Sequence, residues 1–140
     1  MEFVVNVLPR VDQAVTLYND AGWLAYTRQP DRLMQALKNS LYLLCAYEDG
    51  ELVGLLRAVG DGITVLFVQD ILVLQGKRRQ GLGGEMLHRM MAAYPDVRQK
   101  VLLTDETPEM HGFYEKMGFC TGAEVGLTAF YYMGEPEKTE

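Results

Sequence analysis

An α/β protein built on a single mixed sheet is the fold class that this 140-residue sequence predicts. Apolar runs read as strands in two contexts. In the middle of the chain they follow one another through tight turns; elsewhere helical segments separate them. Hairpins give antiparallel neighbours and helical crossovers give parallel ones, so the sheet should be mixed and packed on both faces. Composition agrees: about half of the residues are hydrophobic and about a quarter charged. Chain length fits one globular domain, residues 1–140, with enough chain for a proper core.

The elements follow in order. Phe3 to Val7 is a short β-rich run ended by Pro9. Val11, Ala14, Val15, Leu17 and Tyr18 then recur at helical spacing, and Gly22 closes that helix. The stretch WLAYTRQP reads as a loop or broken turn. A second helix starts near Pro30 and Asp31, which suit a helix N-terminus, and carries Leu33, Met34, Leu37 and Leu41 on one side. Leu41 to Tyr47 and Leu52 to Val59 flank Glu48-Asp49-Gly50-Glu51, a hairpin signal. After a turn at Asp61-Gly62, Ile63 to Leu74 forms a strand long enough to expect a bulge or bend near Gln69 and Asp70. Leu82, Met86, Leu87, Met90 and Met91 make the stripe of a helix that Pro95 ends. Lys100 to Thr104 is a buried-type strand. DETPEMHGFYEKMGF is a short helix closed by Gly118, Thr128 to Met133 is a last strand, and GEPEKTE is a frayed tail.

Charge and composition narrow the function. A formal charge of −6 argues against a general nucleic-acid binder, which needs a basic face. It is compatible with a cationic partner such as an amine. Cys45 and Cys120 lie far apart and form no metal or disulfide pattern, and only His88 and His111 could add imidazole ligands, so no metal is expected. MEFVVNVLPRVD is unlike a signal peptide, and no run approaches the roughly 18 apolar residues of a membrane span. The expected setting is cytoplasmic, with no membrane partner.

One stretch carries the chemistry: VQDILVLQGKRRQGLGGEMLHRMM, from Val68 to Met91. Here an acidic chain places Lys77, Arg78 and Arg79 against Gly81, Gly83 and Gly84, between a strand and a helix. Gly76 and Gly81 have P-loop spacing, but Leu82-Gly83 stand where Lys-Ser/Thr should follow, so nucleotide hydrolysis is disfavoured. Gly81 and Gly83 begin a dinucleotide fingerprint that Met86 fails to complete. What remains is R-x-x-G-x-G, with Arg78, Gly81 and Gly83, opening a helix. Glycines let the backbone approach an anion, and the helix start offers free N–H groups and positive potential.

With this motif the sequence resembles the GNAT superfamily of acyl-CoA-dependent N-acyltransferases. VLLTDETPEMHGFYEKMGF is similar to that family's next strand and helix, with Phe113, Tyr114, Gly118 and Phe119 in its aromatic-Tyr-x-x-x-Gly-Phe ending. Taken alone, the loop could be a tight turn with solvated cations; the second motif sets that reading aside. The resemblance implies a sheet of about seven strands flanked by about four helices. It implies transfer of the acetyl group of acetyl-CoA to a primary amine of a small molecule or peptide by direct attack, releasing CoA. Ile71, Leu72 and Val73 would pair with the pantetheine arm, and Arg78, Arg79, Gln80, Gly81, Leu82, Gly83 and Gly84 would seat the diphosphate. Thr107, Phe113 and Tyr114 would complete the cofactor contacts, with Tyr114 as general acid. Dimerisation is common among relatives, although no segment of the sequence specifies a homodimer.

Other roles come from the residues themselves. Asp70, an acid amid FVQDILVL, is the candidate base, acting directly or through water; it could equally face outward or be tied to the backbone. Trp23 and Tyr26 lie where relatives form the acceptor pocket, and with Asp61 they could cradle an amine; anchoring the first two helices is the alternative for Trp23. Two departures from the family pattern stand out: Thr107 occupies a usual asparagine position, and Gly76 a usual proline position. The rival function is a non-catalytic CoA-binding or protein-interaction module of the same fold.

Overall fold

The computed structural model describes residues 1–134, which fall into two compact units, Met1–Thr104 and a C-terminal unit beginning at Asp105. The tail expected to fray lies, from residue 135 onward, outside the described residues.

The first unit holds five strands: β1 (Glu2–Val5), β2 (Tyr42–Glu48), β3 (Glu51–Gly60), β4 (Val65–Val73) and β5 (Gln99–Leu102). They lie side by side in chain order, the first four antiparallel and β5 parallel to β4. The mixed sheet is therefore real, with five strands rather than about seven. Four helices belong to the same unit: α1 (Val11–Asp20), the single turn α2 (Leu24–Thr27), α3 (Pro30–Lys38) and α4 (Leu82–Ala93).

Local chemistry sets the boundaries. Asn6 ends β1 in a left-handed conformation while its Oδ1 accepts from Leu43 N–H. Asp49 and Gly50 both take positive φ, as a tight two-residue hairpin turn requires. α3 stops at Lys38, short of Leu41, because Leu41 N–H is drawn to Ala58 O at the sheet, 2.9 Å away. β4 is nine residues and not twelve: Asp61 collects the N–H groups of Ile63, Thr64 and Val65, and folds the strand's expected beginning into a capped turn. The bulge falls where the sequence placed it. Arg57 opposes Asp70 and the next residue, Ala58, opposes Val68, leaving Gln69 extra.

Strand alternation covers both faces. Leu43, Cys45, Leu55 and Leu72 join Ala14, Leu17 and Tyr18 of α1 and Leu33 and Leu37 of α3 in one cluster. Gly54, the neighbour of Leu55, faces α4 instead: a Cβ there would lie 3.0 Å from Leu82 Cδ2 and 3.2 Å from Met86 Cε. The missing side chain seats α4 close against β3 and so fixes the height of its first turn over the sheet.

In the C-terminal unit, α5 (Pro108–Lys116) is started by Thr107, whose Oγ1 accepts from Met110 N–H, and is stopped by Gly118 at φ +96°. A 3-10 turn, Gly122–Val125, follows. The strand expected at Thr128 to Met133 is not formed, since residues 127–134 belong to no strand. β-forming side chains favour strand geometry only when a neighbouring strand supplies hydrogen bonds and packing, and this segment has no such neighbour among the described residues.

Candidate active site

The site begins at an opening in the sheet. β5 pairs with β4 only from Val65 to Val68, and the bulge at Gln69 marks where the two strands part company. Ile71, Leu72 and Val73 therefore keep β3 on one side and, among the described residues, have no strand on the other. An extended ligand arm with amide groups can complete such an edge as a strand would.

β4 runs directly into the loop. Leu74 N–H donates to Val53 O, and Gln75 is clamped to Asp20 by its own N–H (2.9 Å) and its side-chain amide (2.8 Å). Lys77 pairs with Glu48 at the end of β2. That ion pair tethers the loop to the hairpin. Arg78 uses Nε on Val73 O at 3.2 Å, which leaves its terminal nitrogens available. Arg79 is exposed, has no side-chain partner among the described residues, and takes a left-handed φ of +65°. Few non-glycine residues adopt that conformation, and the turn into α4 imposes it.

Gly81, at φ +81°, is the N-cap of α4, and no side chain caps the helix. Glu85 N–H returns to Gly81 O at 3.0 Å, so the N–H groups of Leu82, Gly83 and Gly84 precede the first intrahelical bond. Exposed guanidinium groups stand just before them. The donor set fits a diphosphate: converging amides, a helix start and delocalised cations. Gly76 sits in a 3-10 turn (Gln75–Lys77) with open space where a Cβ would go, so glycine is not demanded there.

Beside the bulge lies a buried polar group. Asp70 is 2% exposed; its Oδ2 accepts from Arg57 Nε at 2.7 Å and from the Tyr18 hydroxyl at 2.8 Å. Its Oδ1 is buried with no protein partner. Burial, reinforced by the Asp70 charge, pushes the Tyr18 hydroxyl well above the usual tyrosine range. For Arg57, burial works against the cation, but the hydrogen bond and attraction of Asp70 outweigh it and the net shift is upward. Asp70 is thus tied to two side chains, neither outward-facing nor bonded to the backbone.

Tyr18, Trp23 and Tyr26 form an aromatic trio, with ring centroids 5.2 to 6.0 Å apart. Trp23 and Tyr26 are partly buried against the α1–α3 cluster, and the Tyr26 hydroxyl accepts from Gln69 at the bulge. Trp23 packs against Tyr18 of α1 and Tyr26 of α2. Asp61 does not join this group. Its carboxylate is consumed by the turn's N–H groups and the Thr64 hydroxyl, which lower its pKa sharply, the Thr64 bond most of all. Sequence reasoning missed Tyr18 and Arg57, reading the first as helix core and the second as an ordinary strand position; an arginine in an apolar strand was the available signal.

The C-terminal unit holds the other motif. Tyr114 is half-buried between Phe113 and Phe119, at centroid distances of 4.8 and 5.9 Å, and burial raises its pKa. Thr107 is engaged as the helix cap, and His111 pairs with Glu106. His88 is exposed on α4, and no group of side chains suited to a metal ion occurs among the described residues.

This arrangement is that of an acyltransferase fold, and comparison with known proteins agrees. The acetyltransferase (GNAT) family profile matches residues 10–119. A Gibberella zeae protein that carries an acetyltransferase name is 32% identical over 141 residues, covering 84% of this chain and 78% of that protein. A GNAT-family acetyltransferase from Streptococcus pneumoniae TIGR4 superposes with a TM-score of 0.86 at 30% identity, covering 96% of this chain and 98% of the other. An aminoglycoside 6'-N-acetyltransferase solved with coenzyme A shares the fold at 17% identity and a TM-score of 0.68, over 82% and 83% of the two chains. The chain belongs to the GNAT acetyltransferase family.

Proposed function

We propose that this protein transfers the acetyl group of acetyl-CoA to a primary amine of a small molecule or peptide by direct attack. The observation that carries the reading is the edge of β4 from Ile71 to Val73, which has no strand beside it among the described residues and continues through the loop of residues 74–81 to the uncapped amides of Leu82, Gly83 and Gly84. Acetyl-CoA supplies an activated acyl thioester at the end of a long arm.

In this reading the chain does four things. The loop amides from Gln80 to Gly84, with Arg78 and Arg79, hold the diphosphate. The open edge of β4 aligns the arm and offers N–H groups where negative charge develops on the acetyl oxygen. Tyr114, kept protonated by its burial, gives its proton to the departing sulfur. The acceptor, an ammonium of pKa about 10, must lose a proton before it attacks. Because Asp70 is buried and already ion-paired, that proton leaves through water rather than directly to its carboxylate. Trp23 and Tyr26 present aromatic surface to the acceptor beside the bulge.

Thiol release from acetyl-CoA, followed across a panel of amines, tests the reaction. Amine-dependent release is expected, together with CoA binding that weakens by about tenfold or more when Arg78 and Arg79 become Ala, through loss of charge-assisted bonds. Tight CoA binding without thiol release for any amine would favour the non-catalytic module instead.

A further inference from the structure

β4 changes register against β3 at one residue. Arg57 opposes Asp70, Ala58 opposes Val68, and Gln69 is left over between them. Beyond that point alternation decides which amides face the open side. Leu74 N–H turns to Val53 O on β3, so Leu72 and Asp70 turn theirs to β3 as well. Ile71 and Val73 then turn theirs to the side that has no strand among the described residues. The first amide presented there after the bulge is therefore that of Ile71. It belongs to the peptide group joining Asp70 to Ile71, next to the place where the ladder is disrupted and holds the backbone least.

Three elements meet on the residue just before it. Asp70 Oδ2 accepts from Arg57 Nε on β3 at 2.7 Å and from the Tyr18 hydroxyl on α1 at 2.8 Å. Oδ1 has no protein partner among the described residues, so Oδ2 alone holds the carboxylate. Tyr18 is fully buried, its ring beside those of Trp23 and Tyr26. Buried charge-assisted bonds of this kind are short and directional, with little competition from water. Apolar side chains at the three positions could fill the same space without burying an ion pair, whose desolvation offsets much of its attraction. What the polar junction adds is orientation.

We propose that Tyr18 and Arg57 are positioning residues: through Asp70 they fix the peptide group between Asp70 and Ile71, and so aim the Ile71 N–H at the acetyl oxygen of bound acetyl-CoA. The inference rests on the transferase reading and adds to it the side chains that align the donor. Such a donor is effective only if it is aimed before the charge develops, and a misplacement of about 1 Å can cost on the order of a hundredfold in rate.

Tyr18→Phe deletes one of the two bonds and keeps the ring; Arg57→Lys keeps the charge and loses the Nε geometry. Without ligand, the Ile71 amide should give one sharp signal in the nitrogen–proton NMR spectrum of the wild type and a broadened or doubled one in each variant. A signal unchanged in both overturns the proposal. With acetyl-CoA isotope-labelled at the carbonyl carbon, the infrared band of the thioester should lie lower when bound to the wild type than when free. Each variant should return it toward the free value, with CoA affinity kept within about twofold and amine-dependent thiol release slowed by about tenfold or more. A bound band no different from free acetyl-CoA, or one that stays low in both variants, overturns the proposal and leaves the transferase reading standing. Failure of the wild type to bind acetyl-CoA removes both. Leu37→Ala, at a buried position on α3, controls for general loosening: if it moves the band as far as Tyr18→Phe does, the Tyr18 hydroxyl has no positioning role. Should Arg57→Lys fail to fold, Tyr18→Phe, which removes a single hydroxyl, decides the question.

Discussion

Asp70→Asn separates a buried structural carboxylate from a catalytic one. The substitution keeps shape and acceptor capacity but removes the charge facing Arg57, whose Nε lies 2.7 Å away. The two side chains are 9% and 1% exposed, so neither can be rescued by solvent. An exposed pair would be worth about 0–1 kcal/mol, whereas stranding one charge of a buried pair costs about 3–5 kcal/mol. We take about 3 kcal/mol, because the asparagine amide oxygen would still accept from Tyr18 or Arg57. For a chain of this size that lowers Tm by on the order of 10 °C. Urea unfolding monitored by circular dichroism gives the free energy, and Arg57→Met added to Asp70→Asn should recover at least half of the loss by removing the stranded cation. The Tyr18 hydroxyl supplies a pH signature. Its folded-state pKa is raised, so its stabilising contribution is complete below about pH 10 and is lost as pH rises through the folded value. Removing the Asp70 charge should bring that alkaline transition to lower pH. A cost below about 1 kcal/mol, combined with a fall in kcat of about a hundredfold, would refute the reasoning and restore Asp70 as the base.

Other outcomes follow from the same geometry. Gly54→Val should cost about 1–3 kcal/mol in urea unfolding and weaken CoA binding, because the new side chain must push Leu82 and Met86, and with them the first turn of α4; unchanged CoA affinity would show that the helix height does not matter. Gly81→Ala meets no atom within 4 Å, so its cost should be the left-handed backbone alone, about 1 kcal/mol by the same measurement. Burial pushes the Cys45 thiol up to about 12, so a maleimide at pH 7.5 should label Cys120 alone in the folded protein and both thiols in denaturant; two rapid equivalents in the native state would contradict the packing of β2. Tyr114→Phe should lower kcat by about a hundredfold with little change in CoA affinity, and the wild-type rate should hold to above pH 10 before falling, since the burial-raised hydroxyl stays protonated until then.

The order and type of most elements were legible in the chain, because each is written in local chemistry. Asp49-Gly50 needs no distant residue to turn a hairpin, Pro108 and Gly118 bracket a helix by their own dihedral preferences, and the R-x-x-G-x-G loop declares a strand-to-helix turn with exposed amides. Even the bulge near Gln69 was legible, as a strand too long to run straight. What groups distant in the chain do to one another emerged only on folding. Lys77 reads as one cation of a cluster until Glu48 is beside it, Asp61 as an amine binder until the turn's own N–H groups surround it, and Asp70 as a lone acid in an apolar strand until Arg57 and Tyr18 close over it. The last strand failed for the same reason. A helix satisfies its hydrogen bonds within itself, so its signal is local, whereas a strand exists only where another strand lies alongside. LTAFYYM has every local preference for an extended chain but, among the described residues, not the neighbour that would make it one.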